Sequence, residues 1–154
     1  MASTTRQNYE QLSYRGPSGA MWTSRAQEII GDAVATRTLV PKESGALCLM
    51  DRSTGVVYTL PSPVIGMTFE FATTVTIASG AAKIITNLAT EFLLGDLQMC
   101  IAAAATTLFV AGNGTTTGGV QGDYYKITAL STTQWLVTGF ISGSGALATP
   151  FATS

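Results

Sequence analysis

Apolar and polar residues along this chain alternate in short runs, without the long stripes an amphipathic helix leaves. In Thr68-Phe69-Glu70-Phe71-Ala72 the aromatics alternate with Thr, Glu and Ala, and Gln134-Trp135-Leu136-Val137-Thr138 has the same form. A period of two puts alternate side chains on opposite faces, so each segment predicts a strand with one buried face and one partly wet. From Gln27 onward such runs are broken by Gly, Pro, Asp and Ser, the sequence form of a many-stranded β domain. The predicted strands are 34–39, 46–50, 56–60, 68–74, 83–86, 98–101, 107–110, 124–129 and 134–140. Asp51-Arg52-Ser53-Thr54-Gly55 is built of turn-favouring residues between two apolar runs, which predicts a hairpin over 46–60. Pro61-Ser62-Pro63 then ends the pairing, because proline has no N–H to donate to a ladder. Over 88–105, Leu88, Phe92, Leu93 and the later alanine run also suit a short helix. The Gly- and Thr-rich segment 111–119 reads as a long flexible loop. No fixed-period repeat is present, which argues against a solenoid.

Outside these runs the chain changes character. Residues 1–26 have no sustained periodicity and read as an extended arm, 27–142 as the β domain and 143–154 as an irregular tail. The expected fold class is therefore all-β, a single compact β-barrel or β-sandwich domain with an extended N-terminal arm. The arm carries Tyr9, Tyr14 and Trp22 with no core of its own to bury them. They are candidate anchors in a partner's pockets, with Arg6, Arg15 and Arg25 as matching contacts to carboxylates.

Composition sharpens this picture toward assembly. The 154 residues suit one hydrophobic core. Apolar residues make up 46% and charged ones 11%, well below the roughly 25% charge of a typical soluble domain. Beyond Arg52 the only charges are Lys83, Lys126, Glu70, Glu91, Asp96 and Asp123. So sparse a charge set makes a poor monomer surface, and much of the outside is expected to be covered by other subunits. A net charge of -1 without a basic cluster argues against nucleic-acid binding. No apolar run approaches the ~20 residues of a membrane span, and the first residues lack the apolar core of a signal peptide. Synthesis in the cytoplasm without membrane attachment is the expectation. Cys48 and Cys100 each lie in an apolar segment and read as small buried hydrophobes.

Candidate chemistry is sparse. The chain has no histidine, the usual general base near neutral pH and the commonest metal ligand. The few acids read as solvated surface charges, without the adjacency of a paired acid site. Two cysteines without histidine cannot complete a four-ligand zinc site. Gly112-Asn113-Gly114 and Gly118-Gly119 lack the Lys-Ser/Thr of a phosphate loop. No catalytic residue, metal ligand or cofactor is therefore assigned. Phe69, Phe71, Trp135 and Phe140 sit at strand-like spacing and are expected in the core.

Ser44-Gly45, Leu47, Leu49, Gly55, Thr59-Leu60-Pro61, Pro63, Gly66 and Phe69, with Gln134-Trp135-Leu136-Val137-Thr138-Gly139 as a closing strand, resemble a pattern of small virion proteins of tailed bacteriophages, including capsid decoration (cement) proteins. The match runs from Ser44 to Gly139 and is weak around 88–122. The resemblance implies a compact β domain on the outer capsid surface of the virion, made in the host cytoplasm. It also implies a homotrimer that clamps neighbouring major capsid proteins. The long arm and the run Ala102 to Ala105 depart from the pattern and leave the position in the virion open. The alternative is a receptor-binding or fibre-type β protein, for which Gln121, Asp123, Tyr124 and Tyr125 are the nearest approach to a glycan-binding cluster.

Overall fold

The computed structural model describes residues 12–15, 21–24, 27–31, 34–98, 101–102, 108–143 and 148–153. Strand β1 (Leu12–Arg15) pairs antiparallel with β2 (Met21–Ser24). The remaining strands are β3 (Ile29–Ile30), β4 (Thr36–Thr38), β5 (Leu47–Met50), β6 (Val57–Thr59), β7 (Thr68–Thr73), β8 (Ala82–Ile85), β9 (Phe92–Leu97), β10 (Ile101–Ala102), β11 (Phe109–Gly112), β12 (Tyr124–Ala129), β13 (Gln134–Phe140) and β14 (Phe151–Ala152). They form a seven-stranded sheet in the order β10-β9-β13-β12-β7-β5-β3 and a five-stranded sheet in the order β14-β11-β8-β6-β4. One 3-10 turn at Pro41–Glu43 is the only helical element among the described residues, and no helix there is long and apolar enough to cross a membrane. The fold is an all-β sandwich of two mixed sheets.

Parity selects the core. On β7 and β12, Phe69, Phe71, Tyr125, Ile127 and Ala129 point between the sheets and are buried, while their neighbours in sequence are not. From the other sheet Tyr58, Ile84 and Val110 complete the same core. Tyr58 packs edge-on against Phe71 with ring centroids 5.4 Å apart, and its hydroxyl donates to the Leu49 carbonyl at 2.8 Å. Each such fully buried large side chain stabilises the fold by about 1.5–3 kcal/mol.

The chain crosses from one sheet to the other at almost every connection. β3, β5 and β7 lie side by side and parallel in one sheet, as do β4, β6 and β8 in the other. Three stacked coils result, the arrangement that the lack of a repeat had argued against. Ile30, Cys48 and Phe71 stack in one sheet and Arg37, Tyr58 and Ile84 in the other. Their sequence intervals differ from coil to coil, so no fixed period records them.

The predicted hairpin over 46–60 is therefore an arch. β5 pairs with β3 and β7, β6 pairs with β4 and β8, and 51–56 carries the chain across the core between them. Alternation and turn residues are common to hairpin and arch. The choice is made by burial: Cys48, Met50, Val56, Tyr58 and Leu60 all face one interior, which a hairpin within one sheet would not cover on its own. Gly55 makes the corner at φ +84, and a Cβ there would meet the Ala81 carbonyl of the next coil.

Three further expectations change. Residues 92–97 form a strand, not the helix alternative, and β9 runs parallel to β13. The tail expected to be irregular supplies β14, which pairs with β11 and buries Phe151. Phe140 is 47% exposed instead of core. It lies an odd number of positions beyond Trp135 on β13, and odd offsets on a strand face opposite sides.

Candidate interaction surface

Four loops and turns gather at one end of the sandwich. They follow β4, β6 and β8, and they precede β5, β7, β9 and β13. Pro61 and Pro63 are buried there and hold the segment after β6 rigid. A turn closed by Met67 N–H donating to the Val64 carbonyl at 2.9 Å sets Val64 and Ile65 at its apex. Gly66 N–H then donates to the Ala129 carbonyl at 3.0 Å, tying this turn to the β12–β13 hairpin, whose apex carries Leu130. The turn before β9 presents Leu88 and is bonded to its neighbour through Asn87 Nδ2 donating to Ser62 Oγ at 3.1 Å.

These apices are apolar and uncovered. Ile65 is 71% exposed, Val64 59% and Leu88 52%, with Leu130 and Val40 also exposed. Charges at this end are mostly committed within the fold. Glu91 is 2% exposed, and its Oε2 accepts from the backbone N–H groups of Asn87 at 3.1 Å and Leu88 at 3.3 Å. Glu43 Oε1 accepts from Arg37 at 2.8 Å while Oε2 accepts from the Val40 N–H at 2.8 Å. Arg37 shares the inward side of its sheet with Tyr58, and an inward charge on a short edge strand discourages edge-to-edge pairing. Lys42 is left exposed on the 3-10 turn.

The opposite end is more polar, with Val34 and Val75 its exposed large hydrophobics. The segment expected to be a flexible loop is a bonded structure: Asn113 Oδ1 accepts from Thr115 N–H at 2.9 Å and Thr117 N–H at 3.2 Å, and Gly114 N–H donates to the Gly118 carbonyl at 2.7 Å. Asp123, 1% exposed, closes it. Its Oδ2 accepts from Gly119 N–H at 2.8 Å and Val120 N–H at 3.1 Å, and its Oδ1 accepts from Ser142 N–H at 2.7 Å. Glu91 and Asp123 are thus structural acids inside the protein, not the surface charges expected of them. A signal for Asp123 was available: an acid placed just after Gly118, Gly119 and Gly122 has many free N–H groups within reach.

The glycan-type cluster does not come together. Asp123 and Tyr125 are buried, whereas Tyr124 lies on the outer face, its ring stacked on Phe140 at 5.8 Å. Burial, with the negative charge of Asp123, pushes the Tyr125 phenol up. Burial and the neighbouring Glu70, which also accepts its hydrogen bond, push Tyr124 up to about 12.

Of the arm candidates, Tyr14 and Arg15 fall on β1 and Trp22 on β2, with Tyr14 opposite Trp22 in the ladder. Arg6, Tyr9 and Arg25 lie outside the described residues. Cys48 is a free, buried thiol pushed up to about 12 by burial first and by Glu43 next, which leaves it almost no thiolate at neutral pH. Cys100 lies outside the described residues. Among the described residues no three His, Cys, Asp or Glu side chains gather in a metal-holding group.

A scan against models of protein families matches none of them, and a search of curated proteins likewise finds no match for this chain.

Proposed function

We propose that this chain is a structural subunit that acts by binding and not by catalysis: a capsid decoration protein on the outer surface of a tailed-phage head, made in the host cytoplasm, whose partners are the major capsid protein and further copies of itself. The observation that carries the reading is the apolar loop end. Rigid turns hold Val64, Ile65, Leu88 and Leu130 out toward solvent, and exposed apolar patches of this kind mark docking sites. Among the described residues Lys42 and Glu28 are the exposed charges at this end, so attraction is expected to come mainly from apolar burial and neutral hydrogen bonds and binding to resist salt.

The resemblance to decoration proteins supports a role on the head surface. Leu60, Pro61, Pro63 and Gly66, which carry it, build one of the apolar turns, while Phe69, Trp135 and Val137 fill the core behind them. In this reading the arm bearing Arg6, Tyr9, Tyr14, Arg15, Trp22 and Arg25 adds a second grip, and several weak contacts on one shell reinforce one another through high effective concentration.

The test is co-sedimentation of the purified protein with heads of the phage that encodes it. Saturable binding of the unaltered chain is expected, with an Ile65→Ser/Leu130→Ser variant binding about tenfold more weakly at an unchanged melting temperature. Absence of binding to heads, or equal binding by the variant, overturns the reading. Binding confined to tails or to host glycans favours the fibre-type alternative instead.

A further inference from the structure

The outward face of the seven-stranded sheet carries a pattern separate from the loop end. Strands β7 and β12 lie at its middle, and Glu70 on β7 is the Cα partner of Lys126 on β12. These are the only charged residues on the five adjacent strands β3, β5, β7, β12 and β13. One row along, Leu49, Ala72, Tyr124 and Phe140 line up across four strands, ending on the half-exposed Phe140 ring. The solvent side of such a sheet is ordinarily polar.

We propose that this face packs on the same face of a second copy, about a two-fold axis parallel to the strands and midway between β7 and β12. A two-fold turns every contact of i with j into a second contact of j with i. About this axis β7 of one copy lies over β12 of the other, and β5 over β13. Because Glu70 and Lys126 sit at the same height, each meets its opposite charge across the interface, and one complementary pair on the face becomes two between copies. In the next row the small Ala72 receives the large Tyr124, and Leu49 covers Phe140. Over these four strands the face matches itself in charge and in size, with the exposed Asp96 on β9 lying beyond the matched rows, so a second copy is the occupant the pattern fits. Face-to-face packing closes with two copies, so the oligomer is a dimer and not the trimer that the resemblance implies. The pairing rests on the self-association in the reading above, but not on what shell the chain binds.

Sedimentation velocity on the full chain tests it with no phage component present, so a failure to bind heads leaves this result untouched. The unaltered chain should sediment as a dimer. Glu70→Lys presents two cations and Lys126→Glu two anions, and each alone should raise the dimer dissociation constant about tenfold or more. An equimolar mixture of the two should return a heterodimer within about threefold of the original affinity. Circular dichroism checks that each variant is folded. Phe140→Asp, at a half-exposed position, gives a second variant that should also be monomeric. A monomeric or trimeric unaltered chain, or a mixture that stays monomeric while both variants are folded, overturns the proposal.

Discussion

The two ends of the sandwich are braced alike and present different chemistry. At each, a buried carboxylate gathers backbone N–H groups: Glu91 takes those of Asn87 and Leu88, and Asp123 those of Gly119, Val120 and Ser142. What stands in front of the brace differs. At one end it is Val64, Ile65, Leu88 and Leu130, and at the other a web of Thr, Asn and Gly. The comparison separates rigidity, which both ends have, from affinity, which apolar exposure gives to one of them. Ordered turns also cut the entropy lost on docking, so the apolar end is prepared for a partner before meeting it.

Removing the braces should break the likeness unequally. Asp123→Ala leaves three N–H groups without their charged acceptor and is expected to cost about 4 kcal/mol, read from the urea midpoint. Glu91→Ala loses two longer bonds in a part-buried turn and should cost about 2 kcal/mol. Equal losses would show that the two carboxylates carry the same weight and that the three-against-two difference in bonds is immaterial.

Altering the apices instead of the braces should sharpen the difference. Ile65→Ser with Leu130→Ser is expected to shift stability by no more than about 0.5 kcal/mol, since both side chains are exposed. Binding to heads should nevertheless fall about tenfold, which is roughly 1.4 kcal/mol. Gln121→Ala at the polar end should change neither quantity. Deleting residues 1–25 isolates the arm: the β domain should keep its melting temperature and lose binding to heads, and undiminished binding would confine the grip to the loop end.

Between the two ends lies Cys48, whose thiol is raised from its usual 9.0 to about 12 in the folded chain. The folded state therefore holds this proton more tightly than the unfolded one. Its contribution is complete below pH 9.0 and is lost as the pH climbs toward 12. Chemical denaturation across that range should show stability falling with pH, and falling less steeply in Cys48→Ala.

Strand content was legible because it is local. Strands 124–129 and 134–140 stand at the expected bounds, and 68–73 within one residue of them, since strict alternation in a half-buried sheet fixes both face and register. Pairing was less legible. A hairpin and an arch share alternation and turn residues, and whether β5 bonds to β6 or to β7 depends on contacts distant in sequence. The candidate surface was half visible. Pro61-Ser62-Pro63 announced a break, but Val64, Ile65, Leu88 and Leu130 looked like any apolar residues until the turns placed them at apices. Glu91 and Asp123 were misjudged because composition counts charges without showing which backbone N–H groups lie nearby.

Cryo-electron microscopy of the intact phage head bears most directly on the docking claim, because it gives both the location of the copies and the end they turn toward the shell. Copies spread over the outer surface, with Val64, Ile65, Leu88 and Leu130 seated against the major capsid protein, are the predicted result. Copies confined to a vertex or tail, or docked through the Thr- and Gly-rich end, would contradict it.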